Sequence, residues 1–329
     1  MTPTLDVFYD RGVVVREGTR EIVLDPRRGR AGSVVSHGHM DHLSSGGYMT
    51  PGTLDILKVR RKRGNGTPLE YDRETEVEGF AVTLRDAGHT FGSAMVRVDD
   101  VLYTGDFNPE GGVTCGRAEP EWCRTLVVDA TYGRPSFHFP DKRDVESDVL
   151  AWTESNLTHG PVAIGAHEFG KAQEMIALMN RGRLEVAVPD KIADLADVYR
   201  RHGVTLTYRR ISELSDAERS DPRVYVVPRG WLRAPPEEAP WMAHARTAFV
   251  SGWCTMYDFT RMYGLDAQFP LSDHADFDDL MEFVEHCRPR RVYTVFSHAD
   301  ELAREIARKL KVKAEPLGAV RRPEDAVFG

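Results

Sequence analysis

The stretch Ser36-His37-Gly38-His39-Met40-Asp41-His42 carries three imidazoles and a carboxylate within six residues. It follows two valines that predict the end of a short buried strand. Imidazole nitrogen together with carboxylate oxygen suits zinc, and also manganese or iron, better than magnesium or calcium. A solvent-exposed polar loop is the alternative interpretation, but four ligand-type side chains so close together favour a metal site.

One loop does not supply enough ligands for two metal ions, so further ligands are expected at other strand ends. Three residues lie at that position, each after an apolar run: His89, Asp106 and His298. Taken singly, each histidine is explained equally well as a buried structural residue, and the aspartate as the start of a turn. Only the complete set, together with the loop, predicts a metal centre.

The loop and two later motifs resemble the β-CASP nucleases of the metallo-β-lactamase superfamily. Residues 37–42 match the superfamily motif HxHxDH letter for letter. The segment 125–133 (TLVVDATYG) is similar to the family's acidic motif A, and 270–277 (PLSDHADF) is similar to its histidine motif B. His298 stands at the position of motif C. The resemblance therefore covers almost the whole chain.

This resemblance implies an α/β fold, a metallo-β-lactamase αββα sandwich with an inserted βα β-CASP cap domain. The expected boundaries are 1–140 and 269–329 for a discontinuous catalytic domain, and 141–268 for the cap. Within the cap, strand and helix patterns alternate, which predicts parallel βα units. The pattern predicts one cap strand at 204–208 and places the last cap strand at 247–252.

The family likeness also implies a role for each candidate residue. One divalent ion would be bound by His37, His39 and His89, the other by Asp41, His42 and His298, and Asp106 would bridge them. Zinc is the expected metal, with manganese as the alternative. Two adjacent ions of this kind activate water and stabilise charge on a phosphoryl oxygen.

Catalytic roles follow from the same resemblance. Asp41 would also orient the attacking hydroxide. His274 would protonate the leaving oxygen, while Asp129 would accept the other ring proton and keep the imidazole oriented. Asp25 matches the first aspartate of the superfamily, which braces the metal loop without binding metal. His167 is expected to be a partly exposed histidine that binds no metal, with a position lining the substrate channel as the alternative.

Composition agrees with an ordinary globular protein of 329 residues, 41% hydrophobic and 29% charged. The first residues lack the pattern of a signal peptide, and no apolar run approaches the roughly 20 residues that cross a bilayer. We therefore expect a cytoplasmic protein with no membrane partner. The oligomeric state stays open, with a homodimer among the options.

A net charge of −8 argues mildly against a nucleic-acid partner, because phosphate binding uses Lys and Arg. The run Lys58-Val59-Arg60-Arg61-Lys62-Arg63 is a local exception, and it fits a solvated surface as well as a phosphate-binding one. Histidine at the motif C position resembles the RNA-processing branch of the family. The prediction is thus a two-metal phosphodiester hydrolase acting on single-stranded RNA, in RNA processing or decay.

Three alternatives remain. The first is a DNA exonuclease of the ligase-associated or Artemis-like type. Ligase-associated exonucleases resemble this chain around Ser251-Gly252-Trp253 and motif B and retain histidine at motif C, whereas the Artemis branch typically has valine there. A small-molecule metallo-hydrolase would share the metal loop but would have no use for His274. A non-catalytic scaffold protein would be expected to have lost metal ligands, and none is missing here.

Overall fold

The computed structural model describes residues 5–62 and 64–318, and the chain divides into two compact units. The first unit consists of Met1–His138 and His274–Gly329, and the second of Phe139–Asp273. The second unit therefore interrupts the first along the sequence. Arg63, the last residue of the basic run, lies outside the described residues.

The secondary structure alternates between short strands and helices. The strands are β1 (Asp6–Tyr9), β2 (Val13–Glu17), β3 (Arg20–Leu24), β4 (Ser33–Val34), β5 (Tyr48–Met49), β6 (Thr67–Pro68), β7 (Thr75–Val77), β8 (Phe80–Asp86), β9 (Ala94–Val98), β10 (Val101–Tyr103), β11 (Thr125–Asp129), β12 (Val162–Ala166), β13 (Val186–Val188), β14 (Arg209–Arg210), β15 (Val224–Pro228), β16 (Arg246–Val250), β17 (Ala267–Phe269), β18 (Arg291–Val295) and β19 (Lys313–Pro316). The helices are α1 (Pro51–Arg60), α2 (Lys142–Leu157), α3 (Lys171–Arg181), α4 (Asp190–Arg201), α5 (Asp216–Ser220), α6 (Arg229–Arg233), α7 (Phe259–Tyr263), α8 (Phe277–Cys287) and α9 (Ala299–Lys309).

Two sheets form the first unit. One has the strand order β1-β2-β3-β4-β5-β6, and the other has the order β19-β18-β11-β10-β9-β8-β7. Alternate residues of a strand face opposite sides, and β10 shows the consequence. Val101 and Tyr103 are buried in a core that both sheets share, whereas Leu102 is buried in a second core with residues of α8 and α9.

Helix α1 covers the outer face of the first sheet. Leu54 and Leu57 of this helix share a third core with Val35 and Met49. The layers are therefore helix, sheet, sheet and helix, which confirms the αββα sandwich predicted from the sequence. Both sheet faces are buried in this arrangement, as the Val- and Leu-rich strands require.

The second unit is built on one parallel sheet with the order β14-β13-β15-β12-β16-β17. The predicted strand at 204–208 does not form. Instead, the side chain of Asn180 accepts from the Thr207 amide at 2.7 Å and donates to the Thr207 carbonyl at 2.9 Å. This amide replaces a neighbouring strand, and the pairing begins only at Arg209.

The last strand of the second unit also differs from the prediction. The predicted strand at 247–252 is β16, which ends at Val250, and a further strand, β17, pairs with it in parallel. All three residues of β17 are only partly buried. A strand of this kind needs no clear apolar pattern, and its sequence has none. Across residues 5–62 and 64–318, we find no helix with the length and apolar character that a membrane span requires.

Candidate metal centre

The candidate ligands of the first unit follow strand ends. The loop that begins at His37 follows β4, His89 follows β8, and Asp106 follows β10. Strand β11 pairs in parallel with both β10 and β18, so the carboxyl ends of these three strands lie along one edge of the sheet. Asp129 ends β11 and His298 follows β18, at the same edge.

Four of these side chains converge. His37, His39, His89 and Asp106 each offer one ligand atom, and all four atoms lie within 4.8 Å of one another. The Nδ1 atom of His39 is 3.0 Å from Nε2 of both His37 and His89. The Oδ2 atom of Asp106 is 3.4 Å from His37 Nε2 and 3.8 Å from His89 Nε2.

These separations fit a metal ion. Ligand atoms about 2.0–2.1 Å from a tetrahedral zinc ion lie about 3.3 Å from one another. The four distances between His37, His39, His89 and Asp106 bracket that value. Three imidazole nitrogens and one carboxylate oxygen also form a donor set that zinc accepts, and His37, His89 and Asp106 are buried.

The tautomer of His37 follows from its neighbours. The hydroxyl of Ser36 donates to Asp25 Oδ2 at 2.7 Å, so it accepts a hydrogen bond from His37 Nδ1 at 2.9 Å. The proton of a neutral imidazole is therefore on Nδ1, and Nε2 presents a lone pair to Asp106. Burial lowers the pKa of His37, which favours this neutral form.

His42 repeats the arrangement. Its Nδ1 atom donates to Asp25 Oδ2 at 2.6 Å, which leaves the Nε2 lone pair 3.3 Å from Asp106 Oδ1. Two imidazole lone pairs thus face one carboxylate, whose oxygens only accept hydrogen bonds when it is ionised. A cation between these groups turns the repulsion into attraction, so the arrangement fits a divalent metal ion beside Asp106.

Asp25 supports the loop from behind the ligands. Besides His42, it accepts hydrogen bonds from the amide and the hydroxyl of Ser36, both at 2.7 Å, and from the hydroxyl of Tyr103 at 2.8 Å. Although burial alone would raise the pKa of Asp25, His42 and Ser36, which both donate hydrogen bonds to its carboxylate, lower it. Asp25 contacts the ring nitrogen of His42 that faces away from Asp106, as expected for a bracing residue.

A second histidine–carboxylate pair lies beside the centre. The Nδ1 atom of His274 is 3.0 Å from Asp129 Oδ2, and the ring of His274 is 4.5 Å from that of His89. Asp129 also accepts hydrogen bonds from the amide and hydroxyl of Thr131. Its orientation is therefore fixed, and it holds His274 through Nδ1. The side chain of His274 is 20% exposed and that of Asp129 is 3% exposed.

The remaining candidates differ in how far the structure brings them to the centre. Among the residues described, the groups close enough to hold an ion include neither Asp41 nor His298. Asp41 is exposed, while His298 is buried and donates from Nδ1 to the carbonyl of Thr131 at 2.8 Å. His167 in the second unit is exposed and donates from Nδ1 to the carbonyl of Phe169 at 3.1 Å.

Comparison with known proteins locates the chain among them. Residues 267–316, which contain His274 and His298, match the family model RMMBL, described as a Zn-dependent metallo-hydrolase RNA specificity domain. The chain is 30% identical over 144 residues to an uncharacterized protein in the lig 3' region of Acidianus ambivalens, covering 41% of this chain and 99% of that protein. It is 28% identical to RNase aCSPSF2 of Saccharolobus solfataricus, over 45% of this chain and 38% of that protein.

This chain belongs to the β-CASP family of the metallo-β-lactamase superfamily. A further relative is a probable DNA ligase of Opitutus terrae, 31% identical over 82% of this chain and 27% of the ligase. This chain spans about a quarter of the length of the Opitutus terrae ligase and about two fifths of RNase aCSPSF2. A protein of unknown function from Enterococcus faecalis shares the fold, with a TM-score of 0.60 at 12% identity over 88% of this chain and 93% of that chain.

Three supporting residues of this β-CASP site were not among the predicted ones. Ser36 and Tyr103 hold Asp25, and Thr131 contacts both Asp129 and His298. Ser36 and Thr131 lie next to motif residues, so their position carried a signal. Tyr103 did not, because its role depends on the pairing of β10 within the sheet.

Proposed function

We propose that this chain hydrolyses phosphodiester bonds in single-stranded nucleic acid. The supporting observation is the cluster in which imidazole nitrogens of His37, His39, His42 and His89 surround the carboxylate of Asp106. When bound there, two divalent ions would activate a water molecule and stabilise negative charge on the phosphoryl oxygens. Zinc is proposed as the metal because nitrogen donors dominate the cluster, with manganese as the alternative.

The proposed ligand assignment divides the cluster into two sites. His37, His39 and His89 would hold one ion, His42 would hold the other, and Asp106 would contribute an oxygen to each. The second site needs additional ligands, and we assign Asp41 and His298 to it. Asp41 would also orient the attacking hydroxide, a role that needs a carboxylate reachable from solvent.

His274, oriented by Asp129, supplies the proton that hydrolysis requires. Breaking the phosphorus–oxygen bond leaves negative charge on the leaving oxygen, and a positioned acid neutralises this charge by protonating the oxygen. Asp129 holds Nδ1 of His274, so Nε2 is the atom that carries and delivers the proton. The carboxylate also balances the positive charge of the imidazolium that acts as the donor.

Single-stranded RNA is the first proposed substrate. His298 stands where RNA-processing relatives have histidine, and the matched segment 267–316 is described as an RNA specificity domain. One relative is also named an RNase. We also propose a catalytic domain formed by 1–140 and 269–329 and a cap formed by 141–268. A cytoplasmic location and a homodimer as one oligomeric state are proposed as well.

Single-stranded DNA is the second candidate. The relative that covers 82% of this chain is named as a probable DNA ligase, and another is named for its position beside a lig gene. The proposed chemistry does not need the 2′-hydroxyl group, because a water molecule is the nucleophile. A nuclease that trims ends for a ligase would therefore use the same centre.

The test is cleavage of labelled RNA and DNA strands of equal sequence by the zinc- or manganese-loaded protein. The variant His274→Ala should lose turnover by about 100-fold or more while keeping its metal content. The variant Asp106→Ala should lose both. His138→Ala is the matched control, because this exposed histidine also pairs with a carboxylate, Asp278, at 2.8 Å through Nδ1.

Two results would reject the proposal. The first is a protein that holds two metal ions per chain and cleaves neither strand. The second is hydrolysis of a thioester or lactam in place of nucleic acid, which would identify a small-molecule hydrolase. Preference between the RNA and DNA strands decides between the two candidate substrates.

A further inference from the structure

Two exposed basic segments of the first unit flank the chain that continues from the metal loop. One contains Arg27 and Arg28, and the other contains Arg61 and Lys62 at the end of α1. All four side chains are exposed. We call these four residues the basic rim.

The backbone brings both segments to the same place. An added Cβ at Gly29 would lie 2.5 Å from the carbonyl oxygen of Ser45, so the first segment packs directly against residue 45. The amide of Gly46 donates to the carbonyl of Asn65, three residues after Lys62, at 2.8 Å, so the chain next to the second segment contacts residue 46. Ser45 is three residues beyond His42. The rim therefore borders the chain that carries the proposed ligands.

The charges of the rim are not neutralised within the described chain. Among residues 5–62 and 64–318, no carboxylate lies within 4.0 Å of a rim cation, in contrast to several neighbours. Arg30 pairs with Glu21 at 2.5 Å, and Lys58 pairs with Asp55 at 2.8 Å.

This separation matters because the chain as a whole is acidic. A net charge of −8 repels a polyanion, so a nucleic-acid strand needs a local surface of unpaired cations. Exposed lysine and arginine bind phosphates by releasing the counterions that the phosphates had condensed. Four cations in two segments beside a metal loop provide such a surface.

We propose that the basic rim binds backbone phosphates of a single-stranded nucleic acid and holds the strand beside the metal loop. This inference rests on the proposed function for the identity of the strand. It assigns to Arg61 and Lys62 the phosphate-binding role that the sequence alone left equal to a solvated surface. The rim reads charge, so it binds RNA and DNA strands alike and adds no sequence preference.

The test is the salt dependence of binding. Labelled oligouridylate and oligothymidylate are titrated with the metal-loaded full chain by fluorescence anisotropy, in the His274→Ala background to prevent turnover, between about 50 and 200 mM salt. Two double variants each remove two charges: Arg27→Gln with Arg28→Gln, and Arg61→Gln with Lys62→Gln.

Each double variant should lower the slope of log K against log salt by about 1.4, because each lost contact to a single strand is worth about 0.7. Binding should weaken several-fold at low salt and little at high salt. The control is Arg308→Gln with Lys309→Gln, which removes the same net charge from cations that pair with Glu305. Its slope should stay close to that of the parent.

The inference is overturned if both rim variants keep the parent slope, or if the control lowers the slope as much as they do. Binding of the rim to anionic lipid vesicles but not to either oligonucleotide also overturns it. With His274 intact, the two rim variants and the control should all hydrolyse bis(p-nitrophenyl) phosphate, a diester without a polyanionic strand, at the parent rate. A protein that hydrolyses nothing but loses slope in the rim variants would reject the proposed function and keep the inference.

Discussion

Removing the hydroxyl of Tyr103 tests whether the bracing of the metal loop sets the metal affinity. Tyr103 is buried on β10 and binds no metal in the proposed assignment, but its hydroxyl donates to Asp25 Oδ2 at 2.8 Å. The same oxygen accepts from Ser36 and from His42. The substitution Tyr103→Phe therefore removes one of the three donors to this oxygen and changes no proposed ligand.

The size of the effect follows from this geometry. A hydrogen bond to a charged group contributes about 1.5–3 kcal/mol to stability. Two donors remain on Oδ2, so we expect the lower end, about 1.5 kcal/mol in the free energy of unfolding. If His42 loses orientation to the same extent, metal affinity falls at most about tenfold, since 1.36 kcal/mol corresponds to a factor of ten. That is the lower limit of the 10- to 100-fold change typical of outer-shell partners.

Two measurements separate stability from metal binding. Urea unfolding of the metal-free protein gives the free energy, and competition with a chromophoric chelator gives the zinc Kd. The matched control is Tyr225→Phe, which removes a hydroxyl that donates to the carbonyl of Arg219 at the same distance, 2.8 Å, in the second unit. It should lower stability but leave the zinc Kd unchanged. The reasoning fails if Tyr103→Phe also leaves the zinc Kd unchanged.

Two further predictions concern the backbone before a ligand and the pH dependence of stability. Gly88→Ala should lower the free energy of unfolding in urea by at least about 2 kcal/mol and weaken zinc binding. The reason is that Gly88, the residue before His89, has φ +65°, and an added Cβ would meet the Asn108 carbonyl. An unchanged zinc Kd would contradict this prediction. Burial, reinforced by the charge of Asp276, raises the pKa of Asp279 from its ordinary 3.8 to about 6. The protonated acid therefore stabilises the fold below about pH 4, and this contribution is lost as the pH rises to about 6. Asp279→Asn should therefore flatten the fall in unfolding free energy between pH 4 and 6, and an equal fall in the variant would show that another group causes it.

The fold was predictable wherever the sequence carries a periodic pattern. The segments 171–180 and 278–287 carry a helical pattern, and they form α3 (Lys171–Arg181) and α8 (Phe277–Cys287). Both have apolar residues at helical spacing that are buried in the structure. The predicted strand at 204–208 failed because a side-chain amide, Asn180, took the hydrogen bonds that a strand would have used. No local pattern shows that a residue more than 20 positions away will do this.

The site was predictable in its residue types and less so in its geometry. The spacing of His37, His39 and His42 predicts metal ligands because few other functions concentrate imidazoles in one loop. His89 and Asp106 were found because each follows an apolar strand. What the sequence could not show is the direction of each ring, such as the use of Nδ1 by His39 where its neighbours use Nε2.

The distribution of the ligands along the chain couples the metal centre to folding. His37 and His298 are separated by most of the polypeptide, and the edge that carries Asp106, Asp129 and His298 exists only once β10, β11 and β18 have paired. An unfolded chain offers at most the short loop at 37–42, without Asp106. With the proposed ligand set, metal ions would bind the native state far better than the unfolded one and would stabilise it by mass action. In return, the native state holds imidazole lone pairs against a carboxylate, an arrangement that costs stability until the ions are bound.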